Sequence, residues 1–246
     1  MKKWISLPDA LEMDPQFQKK SGASAWVINE KTGEINSRWG KVAVQVQLKN
    51  DGNLDFGRGV YYEPPNINAV VYGFEADGTC KVGITIQERP FANNPPDIDN
   101  PYGTPADSPI KFGQPVMGFL KKIIGDGAAA SIFESTIGGA TREALEEVGA
   151  TAEGILEVKP FGEHYPNPTF CATTSRLIEI KIDLKKVTGQ TDKEELIYKA
   201  EYISLKELFC RIGKKVHDGV NYNAAVANNT FFMWLAKHPE LLSQLT

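Results

Sequence analysis

Glu134, Arg142, Glu143, Glu146 and Glu147 fall within one stretch, ESTIGGATREALEEVG. Glu143, Glu146 and Glu147 stand three and four residues apart, a spacing that makes them neighbours on one face of a helix. Each like-charge pair there destabilises the helix by roughly 0.2–0.5 kcal/mol. Grouped carboxylates are also hard oxygen ligands of the kind that Mg²⁺ and Mn²⁺ take. A divalent cation turns their repulsion into coordination. Held beside a phosphate chain, such a cation bridges protein and ligand and favours attack by water. The chemistry this spacing suits is metal-assisted hydrolysis at phosphorus.

The elements that must position these residues can be read around them. Helical spacing over 136–148 sets Ile137, Ala140, Ala144 and Val148 in an apolar stripe, with Gly149 at the C′ position. This predicts a helix lying on a sheet, its carboxylates turned outward into a cleft. Alternating, β-branched runs predict strands at ASAWVI, KVAVQVQL, NAVVYGF and KVGITIQ, the last pair joined as a hairpin through EADGT. Further strands are expected at SRLIEIKIDL and LIYKAEYIS, separated by the polar turn KKVTGQTDKEE. LKELFCRI and NTFFMWLAKHPELLSQL read as C-terminal helices. Seven of the 15 prolines fall between Pro90 and Pro115, which predicts a long functional or disordered loop. Strands and helices mix without regular alternation, so the expected class is α+β or layered α/β rather than doubly wound. Residues 1–65 read as a strand-rich N-terminal extension and 66–246 as the main domain.

Composition bounds the partners. The 246 residues carry a net charge of −4, and 41% are hydrophobic. That is ordinary globular usage, with no basic field for nucleic acid or anionic membrane. Cys80, Cys171 and Cys210 lie far apart without metal-ligand spacing, and read as reduced thiols. Pro8 and Asp9 cut short the apolar start of MKKWISLPDA, and no run approaches a membrane span. A cytoplasmic location is expected. Glu163 beside His164 reads as a surface pair, and His217 and His238 are too isolated for a metal site.

The spacing is more specific than an acidic helix alone. Glu134, seven intervening residues, Arg142-Glu143, two residues, Glu146-Glu147, one residue and Gly149 resembles the Nudix box. The family places a glycine six residues before the first glutamate, where this chain has Ala128. Gly118, in PVMG, reads as that glycine, followed by an insertion of about ten residues; Gly127 is the alternative. QERPF at 87–91 is similar to a segment of the ADP-ribose pyrophosphatase subgroup. HYPNPTF puts Pro166 where that subgroup carries a Ser-Pro-Gly turn, although Asn167 and Thr169 replace its Ser and Gly.

The resemblance implies a Nudix fold, a mixed β-sheet sandwiched between helices, here with an N-terminal β extension that would complete a homodimer. It implies Mg²⁺- or Mn²⁺-dependent hydrolysis of a nucleoside diphosphate linked to another moiety, with ADP-ribose giving AMP and ribose 5-phosphate as the first expectation. Glu143, Glu146 and Glu147 would hold the metal, Arg142 and Glu134 would orient the helix, and Glu194 or Glu195 would act as general base. Gln87, Arg89, Gly118 and Pro166 would contact substrate. Two alternatives stay open. One is a Nudix hydrolase of a nucleotide sugar, a dinucleoside polyphosphate or a nucleoside triphosphate; the other is a non-catalytic nucleotide-sensing domain.

Overall fold

Two groups of strands separate along the chain, and each forms its own sheet. The structure, a computed structural model, describes residues 3–16, 34–37, 40–62, 65–89, 110–123, 132–165, 174–189 and 197–245. Residues 1–65 and 165–174 form one compact unit, and residues 66–164 and 175–246 the other.

In the first unit the elements are β1 (Lys3–Ser6), α1 (Leu7–Met13), β2 (Glu34–Ser37), β3 (Gly40–Leu48) and β4 (Leu54–Tyr62). β3 carries the run KVAVQVQL and pairs antiparallel with all three other strands. A strand at ASAWVI (residues 23–28) would lie outside the described residues.

The second unit contains β5 (Asn66–Phe74), β6 (Cys80–Arg89), β7 (Ile110–Gln114), β8 (Val116–Phe119), β9 (Lys122–Ile123) and β10 (Ile132–Phe133). There follow α2 (Thr136–Glu147), β11 (Ile155–His164), β12 (Ser175–Ile182), β13 (Ile197–Ser204), α3 (Leu205–Lys214), β14 (Val216–His217), β15 (Val220–Asn221) and α4 (Ala225–Lys237). Nine of these strands make one sheet in the order β11-β12-β5-β6-β7-β15-β14, with β13 also on β6 and β8 also on β5. The β12–β5 and β15–β7 pairs are parallel and the rest antiparallel, so the sheet is mixed.

β5 shows why the sheet must be covered on both faces: every residue from Asn66 to Gly73 is buried. Ile67, Ala69 and Val71 pack with Ala140 and Ala144 of α2 in one apolar cluster. Val70 and Tyr72 point the other way, into a second cluster with Phe231, Trp234 and Leu235 of α4. The unit is a mixed α+β assembly with few helices, built in layers about a large mixed sheet.

Several expectations need correction. The Pro-rich loop is shorter than the proline count suggested, because β7 lies inside the range expected to be loop. Pro115 interrupts the ladder between β7 and β8, as a residue without an N–H must. Residues 90–109 are outside the described set. β11 was hidden by Pro160, which is tolerated because β11 is the first strand of the order and lies at an edge. The last helix ends at Lys237, and Pro239 opens a separate 3₁₀ segment to Leu245. Cys80 is buried, Cys210 is exposed, and Cys171 is outside the described residues. Among the described residues, no helix is long and apolar enough to cross a membrane.

Candidate functional site

α2 is fixed at both ends before its charges come into play. Ser135 caps its start, the hydroxyl accepting the Gly138 N–H at 3.0 Å. At its end Gly149 takes φ +67°, and the Tyr202 hydroxyl donates to the Val148 carbonyl at 3.1 Å. A Cβ on Gly149 would also meet the Gly189 backbone at 2.2 Å, so both its conformation and its surroundings exclude a side chain.

Ala140, Ala144 and Val148 of the expected apolar stripe do pack against the sheet, but Ile137 and two of the glutamates do not lie as expected. Its buried residues are Gly139, Ala140, Glu143, Ala144 and Glu147. Ile137 is 48% exposed, because at 100° per residue it falls roughly 90° from the centre of that arc. Glu143 and Glu147, expected to face outward, are 4% and 0% exposed and lie near the arc's centre. The small residues Gly139, Ala140 and Ala144 leave room for two carboxylates against the sheet. Glu146 is the exposed member of the three, its side chain 35% accessible.

β8 receives the buried carboxylates. Glu147 accepts the Met117 N–H at 3.2 Å. Gly118 stands against Glu143 so closely that an added Cβ would come within 2.0 Å of Oε1. Gly118, the position expected for the glycine, is thus in contact with Glu143. The segment that separates it from Glu134 includes a two-stranded ribbon in which Lys122 pairs with Phe133 and Ile123 with Ile132. This ribbon sets Glu134 beside Lys121: the Lys121 N–H donates to Glu134 Oε1 at 2.6 Å, and the Glu134 N–H to the Lys121 carbonyl at 2.8 Å. Gly127 lies outside the described residues.

Arg142 ties these pieces together. Its Nη2 donates to Glu134 Oε1 at 2.6 Å and to the Phe119 carbonyl at 3.2 Å, and its Nε to Glu134 Oε2 at 3.4 Å. Its Nη1 donates to Glu143 Oε1 at 2.7 Å and Glu146 Oε2 at 3.0 Å. Lys121 Nζ lies 3.8 Å from Glu146 Oε1. Burial works against charge on Glu134, but the Arg142 and Lys121 hydrogen bonds outweigh it and hold its carboxyl below the usual range. Burial likewise opposes the Arg142 charge, and Glu134, Glu143 and Glu146 more than restore it.

Gln87 sits elsewhere on the sheet. It is buried in β6 and accepts a hydrogen bond from Gln114 Nε2 at 2.7 Å. Alternation along β6 puts it on the face of Gly83, which lies against Tyr202 and Val71, and hence on the α2 side. Arg89 ends β6 opposite Ile110. Pro166, Glu194 and Glu195 lie outside the described residues. His164, read as part of a surface pair, is buried beside Asn68 and Asn229, and burial lowers its pKa. Glu163 does form an exposed ion pair, with Arg176.

Gln114, Lys121 and Tyr202 went unnoticed in the sequence. Lys121 carried no signal, because its contact with Glu134 depends on how the intervening segment folds back. Tyr202 could have been suspected from its inward register in β13. The chain matches no known protein-family model and no curated protein.

Proposed function

We propose that the chain is a Nudix-type pyrophosphohydrolase that cleaves a nucleoside diphosphate linked to another moiety, with Mg²⁺ or Mn²⁺ as cofactor. One observation carries the reading. Of the residues spaced as in the Nudix box, Glu134, Glu143 and Glu146 are joined through the Arg142 guanidinium, while Glu147 accepts the Met117 N–H and Gly118 packs on Glu143. An acidic helix face that served only solvation would not turn Glu143 and Glu147 into the sheet.

The donor set fits a hard divalent cation: three carboxylates, two of them buried, where a compensating positive charge lowers the cost of burial. Among the described residues no three acidic, His or Cys side chains are already grouped as a metal site, and Arg142 stands between Glu143 and Glu146. Glu143, Glu146 and Glu147 would hold the cation, which when bound would neutralise charge on the diphosphate. Arg142 and Glu134 brace α2 against Phe119 and Lys121, so the carboxylates keep a fixed spacing. Glu194 or Glu195 would take the proton from the attacking water as its oxygen bonds to phosphorus and the P–O–P bridge breaks. With ADP-ribose the products would be AMP and ribose 5-phosphate.

A homodimer in which residues 1–65 contribute to the interface belongs to the same reading. Light scattering at micromolar protein should give twice the 27.1 kDa chain mass, and the monomer mass would remove the dimer from the account. The test of the activity is a panel with Mg²⁺: ADP-ribose, a nucleotide sugar, a dinucleoside polyphosphate and a nucleoside triphosphate. ADP-ribose turnover to AMP is expected. Turnover of another member alone would move the substrate and keep the reaction, and no turnover of any would reject the reading.

A further inference from the structure

The two ends of the Arg142 guanidinium do different things. Nη2 and Nε hold Glu134 and the Phe119 carbonyl, groups on the segment before the helix. Nη1 reaches only into the glutamates of the helix itself, at 2.7 Å from Glu143 and 3.0 Å from Glu146. One nitrogen therefore fills the point lying between those two carboxylates. Oxygens that converge on one point from two carboxylates are what a hard cation also needs, at the shorter distances of about 2.0–2.1 Å for Mg²⁺.

From this we infer that Arg142 is the internal counter-cation of the glutamate site, and that a divalent cation binds by displacing its Nη1 from Glu143 and Glu146 while Nη2 and Nε stay on Glu134. The inference rests on the proposed metal-dependent function and deepens it. The physics favours exchange over co-occupancy. Arg142 and the cation would compete for the same carboxylate oxygens, and two positive charges at one point repel. Without Nη1 or a cation, the almost fully buried Glu143 would lose the positive charge now 2.7 Å from its Oε1, which raises the cost of burying it. Arg142 thus keeps the metal-free site folded, at the cost of opposing the cation. Glu134 makes the exchange reversible, because the anchored end of the fork holds the free end within reach.

The test is Mg²⁺ binding to the full chain by calorimetry, comparing wild type, Arg142→Gln and Lys121→Gln. Lys121→Gln removes a nearby positive charge whose contact with Glu146 is long and whose side chain is 63% exposed. Exchange predicts that Arg142→Gln binds Mg²⁺ at least about tenfold tighter, and Lys121→Gln within about threefold of wild type. Arginine-labelled wild type, followed by NMR, needs no variant and decides the matter even if Arg142→Gln does not fold. On adding Mg²⁺ the Arg142 Nη1 hydrogens should lose protection from solvent exchange while those on Nη2 and Nε keep it. Equal or weaker binding by Arg142→Gln, or Nη1 hydrogens still protected at saturating Mg²⁺, would overturn the exchange and leave the metal-dependent function standing. Failure of wild type to bind Mg²⁺ at all would overturn both.

Discussion

Glu147 has the least freedom of the charged groups in the site. It is fully buried on α2, with the Met117 N–H on one oxygen. Glu146 is the accessible neighbour, so the two isosteric changes should separate chemistry from packing. Either Glu146→Gln or Glu147→Gln should lower turnover by more than about 100-fold, exceeding what loss of a supporting partner usually does to a metal site. Urea unfolding should find Glu146→Gln close to wild type, since its carboxylate is partly solvated. Gly118→Ala probes the same contact from the other side. Its Cβ would overlap Glu143, so an overpacking cost of about 1–3 kcal/mol is expected. A Gly118→Ala protein as stable as wild type would mean that β8 and Glu143 can part freely.

At the scale of elements, α2 is a short helix held by its two ends, which makes those ends measurable. Ser135→Ala should cost about 1 kcal/mol of unfolding free energy through the lost cap. Gly149→Ala should cost more than Ser135→Ala, because it adds a close backbone approach to an unfavourable φ; the reverse order in urea titrations would contradict this. The helix limits, its Gly149 terminus and the strands β3, β5, β6, β12 and β13 were legible in the sequence, since periodicity and turn residues encode them locally. That Ala140, Ala144 and Val148 face the sheet was legible as well, but the exposure of Ile137 and the burial of two glutamates were not. Ile137 looked like core and Glu147 like surface. The sheet takes the small residues of the stripe, Ala140 and Ala144, with Gly139 beside them, and hydrophobicity alone could not show that buried carboxylates would lie along that line. β11 and β7 were missed for a related reason: proline reads as a breaker until the neighbouring strands are known.

At the scale of the whole molecule, the C-terminal 3₁₀ segment is fastened to the large sheet by a pH-sensitive contact. His238 lies with Nε2 2.5 Å from Glu179 of β12 and Nδ1 3.0 Å from Glu240, against the rings of Tyr72 and Trp234. Burial opposes its charge, yet the two carboxylates outweigh it and raise its pKa above 6.5. A raised pKa in the folded state gives stability that is fully present below 6.5 and is lost as pH rises through the folded value. Thermal unfolding of wild type should therefore lose more midpoint between about pH 6 and pH 9 than that of His238→Gln. Parallel pH profiles would remove His238 from the account. The central claim concerns chemistry, and one measurement meets it most directly: ³¹P NMR of ADP-ribose and the other diphosphates incubated with Mg²⁺ and either wild type or Glu146→Gln. The account predicts nucleoside monophosphate from wild type, none when Mg²⁺ is chelated, and nearly none from Glu146→Gln. Monophosphate formed equally by both proteins, or by neither, would contradict it.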